Sequence, residues 1–562
     1  TDIDWLYNDA NGNGIRDYGP DAGFSETDYS FGELLFVVSD DNGNNRLDPG
    51  EPLTALGTSK IVATFDKSGR HYRGKNLFDS LGDTYNHGTG STGIVLGQTP
   101  GRRLAGMAPG AEIISIDRTE TDVEEGLLWA QTLGADIMMY EFATRVGEFL
   151  DGSSNLEVMI NELYDNGISQ FTASGNLAGP QRKKHAFLSI EKGVSDTLRF
   201  TVPDMDITAI YLSSLWRDRY LSPTMTLVTP EGDKASVPGD EKERQVGRYS
   251  YNSGNDFSPK STFRRDVLIV SESSIQGTFS LLMKNRRATP IEVDAFIADN
   301  VTQWMHGAQF ENHLTDDGTV CSPGTAEKGI TVGAYDPRGT RNTKGDINDF
   351  SSWGDTIDGR RAVDITAPGT LVYTLTSHDR AGGQPGGYID FGGTSAALPH
   401  VAGCAALALQ AFPDFTPNDI SRLLLDGALS DSFTGTTPNS VWGYGKLRVY
   451  DSFLNEGLNP AAVSRPEPVG FTLSNAFPNP FNASTTIHIV NTGGNETAHD
   501  ITIYNVIGQS VFHTTVAIPP YSHIDYAWDA KKTDGTPLSS GLYLLSVSNR
   551  RLIRTRSMLL LK

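Results

Sequence analysis

The chain has 562 residues, with 46 Lys and Arg against 68 Asp and Glu, a formal net charge of −22. That length points to about two to four domains, and so acidic a surface argues against a nucleic-acid partner, because the phosphate backbone selects basic surfaces. Two cysteines, Cys321 and Cys404, are too few for a disulfide scaffold or a cysteine-based zinc site, and no apolar run reaches the about twenty residues that a membrane-spanning helix needs.

The opening TDIDWLYNDANGNG has no initiator Met and no signal peptide, so the chain reads as cut at its N-terminus. The first eighty or so residues are rich in Asp, Asn and Gly and carry two acidic loops. DANGNGIRD places Asp9, Asn11, Asn13 and Asp17 at positions one, three, five and nine, with Gly14 at six. DDNGNNRLDPGE places Asp40, Asn42, Asn44, Asp48 and Glu51 at one, three, five, nine and twelve. Oxygen ligands at these spacings suit a hard cation, so both loops are candidate structural Ca2+ sites; a pair of solvated Asn-Gly turns is the alternative. Between them, Leu34 to Val38 reads as a strand that runs into Asp40 and Asp41.

From about residue 80 to 180, short apolar runs such as AEIISID and ADIMMY alternate with helical stretches, the pattern of an α/β layer with a parallel sheet. Residues 185–305 change to β-rich segments separated by Gly, Pro, Asp and Asn, which predicts an inserted antiparallel sandwich. The α/β pattern returns at GITVGAYD and continues to 455; residues 456–465 fit a linker, and 466–562 read as strands again.

Three segments carry chemistry. NHGTGSTGIVLG sets His87 at a turn leading into a small-residue helix, where close backbone approach suits a general base. FTASGNLAG sets Asn176 in a Gly-flanked loop after an apolar strand, where its amide is a candidate oxyanion donor; alone, SGN is only a turn signal. GGTSAALPHVAGCAALALQAF sets Ser395 at the start of an Ala-rich helix, beside amides that lack helical acceptors, with Pro399 expected in the first turn. A Ser there is either a nucleophile served by a base or a plain cap of a buried helix.

The strings NHGTGSTG, GMAPGAEIISID, ASGN, ITVGAYD, FSSWG, DITAPG and GTSAALPHVAG occur in the order found in the subtilisin-like serine peptidases, a resemblance that covers residues 1–455. It implies an α/β fold with a doubly wound parallel sheet, carrying the inserted sandwich, and a Ser/His/Asp triad. His87 is then the base, Ser395 the nucleophile and Asn176 the oxyanion donor, with no cofactor needed for catalysis. Two positions depart from the pattern: Ala396 stands where Met is common, and MMYEFATRV brings Tyr140, Glu141 and Phe142 to the strand that usually offers Ser and Gly to substrate. Pairing with a peptide backbone there is expected to be altered, and specificity unusual.

The family's Asp closes an apolar strand and is often followed by Ile-Asp. Thr1, Asp2, Ile3 and Asp4 match that continuation, which places the triad Asp just before Thr1; Asp40 or Asp41 is the other candidate. TSKIVATFD, from Thr58, resembles the segment that follows the opening motif, so the run ending in Asp40 and Asp41 falls in an insertion.

The last hundred residues, from SNAFPNPFNASTTIHIV to RSMLLLK, resemble the type A sorting domain of the type IX secretion system, an immunoglobulin-like β-sandwich. That implies the type IX machinery as a partner and a secreted or cell-surface location in a bacterium. The leading expectation is a secreted endopeptidase acting on proteins or peptides through an acyl-enzyme. The rivals are an inactive or specialised relative serving as a binding scaffold, and an adhesin or glycan-binding module, which leaves His87 and Ser395 unexplained.

Overall fold

In a computed structural model the described residues are 6–7, 13–14, 16–17, 22, 32–33, 35–38, 53–56, 60–67, 69–72, 87–97, 105–118, 121–217, 222–286, 289–378, 385–456, 471–473, 476–491, 496–506, 508–519, 522–549 and 553–562. The chain divides into two compact units: one is Leu81–Glu112 with Arg118–Leu458, the other Thr1–Ser80, Ile113–Asp117 and Asn459–Lys562.

The first unit is built on a four-stranded parallel sheet. Its strands are β1 (Ile137–Tyr140), β2 (Ser169–Ala173), β3 (Ile330–Tyr335) and β4 (Ile365–Pro368), in spatial order β4-β3-β2-β1. β2 is buried at every position and β3 at all but the last, which is why β3 reads as an unbroken apolar or small run; the buried polar Gln170 in β2 is satisfied by the Tyr140 hydroxyl and the Ile168 carbonyl. Helix α1 (His87–Leu96) precedes the sheet, α2 (Val123–Thr132) and α3 (Asn155–Asp165) flank β1, and α4 (Thr394–Ala411) follows the sheet. The alanine-rich face of α4, with Leu398, Val401 and Cys404, shares one core with Phe171, Ile330, Val332 and Ile365. Cys321 and Cys404 are both buried and free, and burial pushes each thiol up to about 12, so neither is a ready nucleophile.

Between β2 and β3 the chain leaves to form an antiparallel sandwich. A six-stranded sheet runs from the edge strand Arg244–Val246 to His185–Ile190, and a five-stranded sheet from Lys234–Val237 to Gln309–Phe310. Alternation of buried and less buried positions, as along Phe263–Val270, turns one face of each sheet into a shared core around Phe200, Phe279, Leu281 and Tyr249. The last strand ends at Phe310, five residues past the boundary expected from composition, because Phe200 and Thr201 pair with Phe310 and Gln309.

The second unit holds three further assemblies. Ile61–Asp66 pairs in parallel with Ile113–Ile116, so AEIISID and ADIMMY belong to different sheets. Leu35–Val38 pairs with Leu6–Tyr7 and Leu53–Leu56. The tail forms a three-stranded and a four-stranded antiparallel sheet around Ile487, Ile501, Trp528, Leu545 and Met558. No helix among the described residues is long and apolar enough to cross a membrane.

A buried carboxylate fastens the sandwich to the α/β layer. Asp151, fully buried ahead of α3, accepts from Ser153 Oγ (2.5 Å), and across the boundary from Ser258 Oγ (2.5 Å) and Thr262 Oγ1 (2.6 Å). Asp151→Ala leaves those hydroxyls without an acceptor and is expected to lower unfolding free energy by about 3 kcal/mol in a denaturant titration. A loss below about 0.5 kcal/mol would contradict that role.

Candidate active site

α1 is short and made of small residues for a steric reason. A Cβ at Gly93 would stand 2.5 Å from Thr374 Oγ1, and Thr374 Oγ1 itself donates to the Gly90 carbonyl at 2.8 Å. α1 therefore lies close against the strand Val372–His378, and its first residue, His87, meets Phe391 edge-on at 5.5 Å between ring centroids. Ser395 is the second residue of α4. The two motifs, 308 residues apart, converge: His87 Nε2 lies 3.1 Å from Ser395 Oγ.

Asn176 comes to the same place. Its loop is anchored by the FSSWG segment, where Ser352 Oγ accepts from Leu177 N (2.9 Å) and Ser352 N donates to Gly175 O (3.0 Å). Arg182 Nε donates to the Asn176 carbonyl at 2.6 Å. Asn176 Oδ1 accepts from Thr394 N (2.9 Å) and Thr394 Oγ1 (3.2 Å), so the network assigns Nδ2 as the donor left for a ligand. Ser395 N–H, near the helix start, has no acceptor four residues back within α4, which supplies a second donor at the positive end of the helix.

Pro399 is not in the first turn as expected. α4 begins at Thr394, which makes Pro399 its sixth residue; lacking an N–H, it leaves the Ser395 carbonyl without the usual i+4 donor. The preceding Gly-Gly sets the start. Gly393 caps the helix at φ 104° and ψ 176°, a conformation open essentially to glycine, and that holds the chain in an extended approach until Thr394.

One acid at this site, Glu141, has neighbours that the amino-acid order does not show. Glu141 was visible as a departure at the end of β1, but its neighbours were not: the carboxyl lies beside the Ser395 and Ser91 hydroxyls. Both its oxygens are buried, and neither has a partner in bonding geometry. Burial pushes this carboxyl up to about 8, and the two hydroxyls only partly offset that. His400, one turn beyond Ser395, donates from Nδ1 to the Ala396 carbonyl, and burial lowers its pKa, so it is held neutral as part of the helix packing.

A cavity of about 720 Å3 opens beside Asn176, Gly392 and Gly393. Trp304 and Met305, at the return of the inserted sandwich, line it together with Arg182 and Arg341. Of the candidate cation ligands, Asn13 and Asp17 are described: Asn13 Nδ2 donates to Asp17 Oδ2 at 2.9 Å, and Asp17 N to Glu33 Oε2 at 2.9 Å. Asp9, Asn11, Asp40, Asn42, Asn44, Asp48 and Glu51 lie outside the described residues, as does Asp41. Elsewhere, His488, His523 and Asp525 come together on paired strands of the tail, where His488 Nδ1 and Asp525 Oδ1 bond to each other at 2.5 Å.

Residues 304–445 match the model of the subtilase family, and residues 475–560 that of the secretion system C-terminal sorting domain. Ser395 falls inside the first match; His87 and Asn176 fall before it. Serine protease AprX of Bacillus subtilis is 38% identical over 152 residues, 25% of this chain and 33% of that protein. Alkaline serine exoprotease A of Vibrio alginolyticus is 33% identical over 115 residues, 20% of this chain and 18% of that protein. The chain thus spans a third or less of the length of these two curated relatives. The structure of the Clostridium perfringens CspB protease matches with a TM-score of 0.59 at 19% identity, over 72% of this chain and 90% of that one, which shows a shared subtilisin-like fold.

A side chain at Gly393 tests the geometry directly. Its Cβ would sit 3.3 Å from Asn176 Nδ2 in a backbone conformation that L-residues avoid. Gly393→Ala is expected to slow reaction of Ser395 with a fluorophosphonate at least about tenfold; an unchanged rate would show that Asn176 and the helix start tolerate displacement.

Proposed function

We propose that the protein, a subtilisin-like serine peptidase by the match of residues 304–445 to the subtilase model, is an exported endopeptidase working through an acyl-enzyme on Ser395, the match of residues 475–560 to the sorting-domain model supporting export. The observation that carries the reading is the 3.1 Å approach of His87 Nε2 to Ser395 Oγ at the start of α4. As Oγ attacks the scissile carbonyl carbon, its proton passes to His87 Nε2 and the carbonyl π electrons move onto oxygen. That oxyanion is met by Ser395 N–H and Asn176 Nδ2. Collapse of the tetrahedral intermediate breaks the C–N bond, and the amine leaves with the proton from His87. Water then repeats the sequence on the ester and frees Ser395.

The cavity beside Asn176 gives substrate a place next to the reacting carbonyl, and Trp304 and Met305 give the inserted sandwich a part in holding it. The match to the sorting-domain model supports a secreted or cell-surface location, and the type IX machinery is the export partner of this reading. Structural Ca2+ in the 9–17 and 40–51 loops belongs to the same proposal: the ligand set is all oxygen, which suits that ion. Calorimetric titration is expected to show binding together with a rise in melting temperature; no binding and no rise would reject it.

A fluorophosphonate probe on the full-length protein should label Ser395, and Ser395→Ala should abolish labelling. Asn176→Ala should lower kcat for peptide hydrolysis by about a hundredfold or more while leaving KM nearly unchanged. Absence of labelling in the unaltered protein would favour the scaffold reading, for which the unusual Glu141 beside Ser395 is the motivating observation.

A further inference from the structure

Among the described residues, Glu141 is the acid beside Ser395 that the proposed mechanism leaves without a role. It follows β1 directly, and the chain turns there so that its carboxyl is enclosed between α1 and α4. Ser91 faces it from α1 and Ser395 from α4; Ser91 Oγ is itself committed to the His87 carbonyl at 2.8 Å. The titratable groups nearby on those helices are His87, reached through Ser395, and His400, turned toward the Ala396 carbonyl. Among the described residues no charged side chain offsets its burial. Burial in that setting favours the neutral acid over the carboxylate.

Resting on the peptidase reading, we propose that Glu141 is a proton-dependent switch on Ser395, permissive when neutral and inhibitory when ionised. The neutral acid offers its O–H to the Ser395 oxygen and leaves the serine proton facing His87 Nε2. Loss of that proton to solvent turns both Glu141 oxygens into acceptors. The serine hydroxyl then points at Glu141 instead of His87, and a negative charge stands beside the nucleophile just where negative charge has to develop. A second role, recognition of a basic substrate side chain, fits less well: both oxygens are fully enclosed, and Glu141 does not line the cavity beside Asn176.

The sign of the pH effect follows. With its pKa moved up from the ordinary 4.5 to about 8, Glu141 is neutral below that value and ionised above it. Reactivity of Ser395 should therefore fall as pH rises through about 8, approaching tenfold per unit. The same shift contributes stability that is fully present below the ordinary carboxyl value and is lost as pH rises through about 8.

The test is the pH profile of fluorophosphonate labelling and of kcat on the full-length protein and on Glu141→Gln, which keeps shape and a donor but cannot ionise. The expected result is an alkaline loss of labelling in the unaltered protein that shrinks to within about twofold in Glu141→Gln, with KM changed little in both. An identical alkaline loss in both proteins overturns the switch and leaves the peptidase reading standing, as does a change confined to KM for basic substrates. No labelling of the unaltered protein at any pH overturns the peptidase reading and the switch with it. Should Glu141→Gln fail to fold, infrared titration of the unaltered protein still decides: a protonated-carboxyl band at neutral pH that fades near pH 8 supports the switch, and its absence refutes it.

Discussion

The close approach of two small-residue helices is the constraint on which the site depends. α1 carries glycines at 88, 90 and 93, and α4 presents Ala396, Ala397, Ala402 and Ala405 to the interior, all fully or nearly fully buried. A Cβ at Gly403 would stand 2.5 Å from the Met107 side chain, so α4 is seated against the GMAPG turn as well as the sheet. Interiors packed at this density transmit displacement. An added methyl group along these contacts would move either His87 or Ser395, and a hydrogen bond of 3.1 Å has little slack before it is lost.

Around that contact the rest of the first unit acts as support. The parallel sheet fixes α4 through Phe171, Val332 and Ile365; the FSSWG segment fixes the Asn176 loop; and Thr394 turns the Asn176 amide so that its nitrogen is the free donor. The inserted sandwich is an independent core, yet it is not detached from the chemistry. Asp151 ties its 258–262 turn to the loop before α3, and its return brings Trp304 and Met305 to the cavity beside Asn176.

Much of this was legible in the amino-acid order, for identifiable reasons. His87, Asn176 and Ser395 each sit in a short stretch whose small residues are demanded by local packing, so the chemistry and the steric requirement are written side by side. The buried strands were readable because burial on both faces removes polar positions, as in GITVGAYD. What could not be read depends on contacts between distant segments. Glu141 was seen as a change of residue type, but its enclosure against Ser91 and Ser395 arises only when β1, α1 and α4 meet. Asp151 gave no signal beyond its local turn with Ser153, since the partners that make it a fastening, Ser258 and Thr262, lie more than a hundred residues on. Pro399 was placed too early because the Gly392–Gly393 pair, and not the Ser, decides where the helix begins.

The central claim is that Ser395, His87 and Asn176 form one reacting centre. A crystal structure of the full-length protein with a peptide boronic acid tests it most directly, since the tetrahedral boronate imitates the intermediate. The account predicts a covalent bond from Ser395 Oγ to boron, with one boronate oxygen within hydrogen-bond distance of both Ser395 N and Asn176 Nδ2. A boronate bound without that bond, or with its oxygen turned away from Asn176, would contradict it.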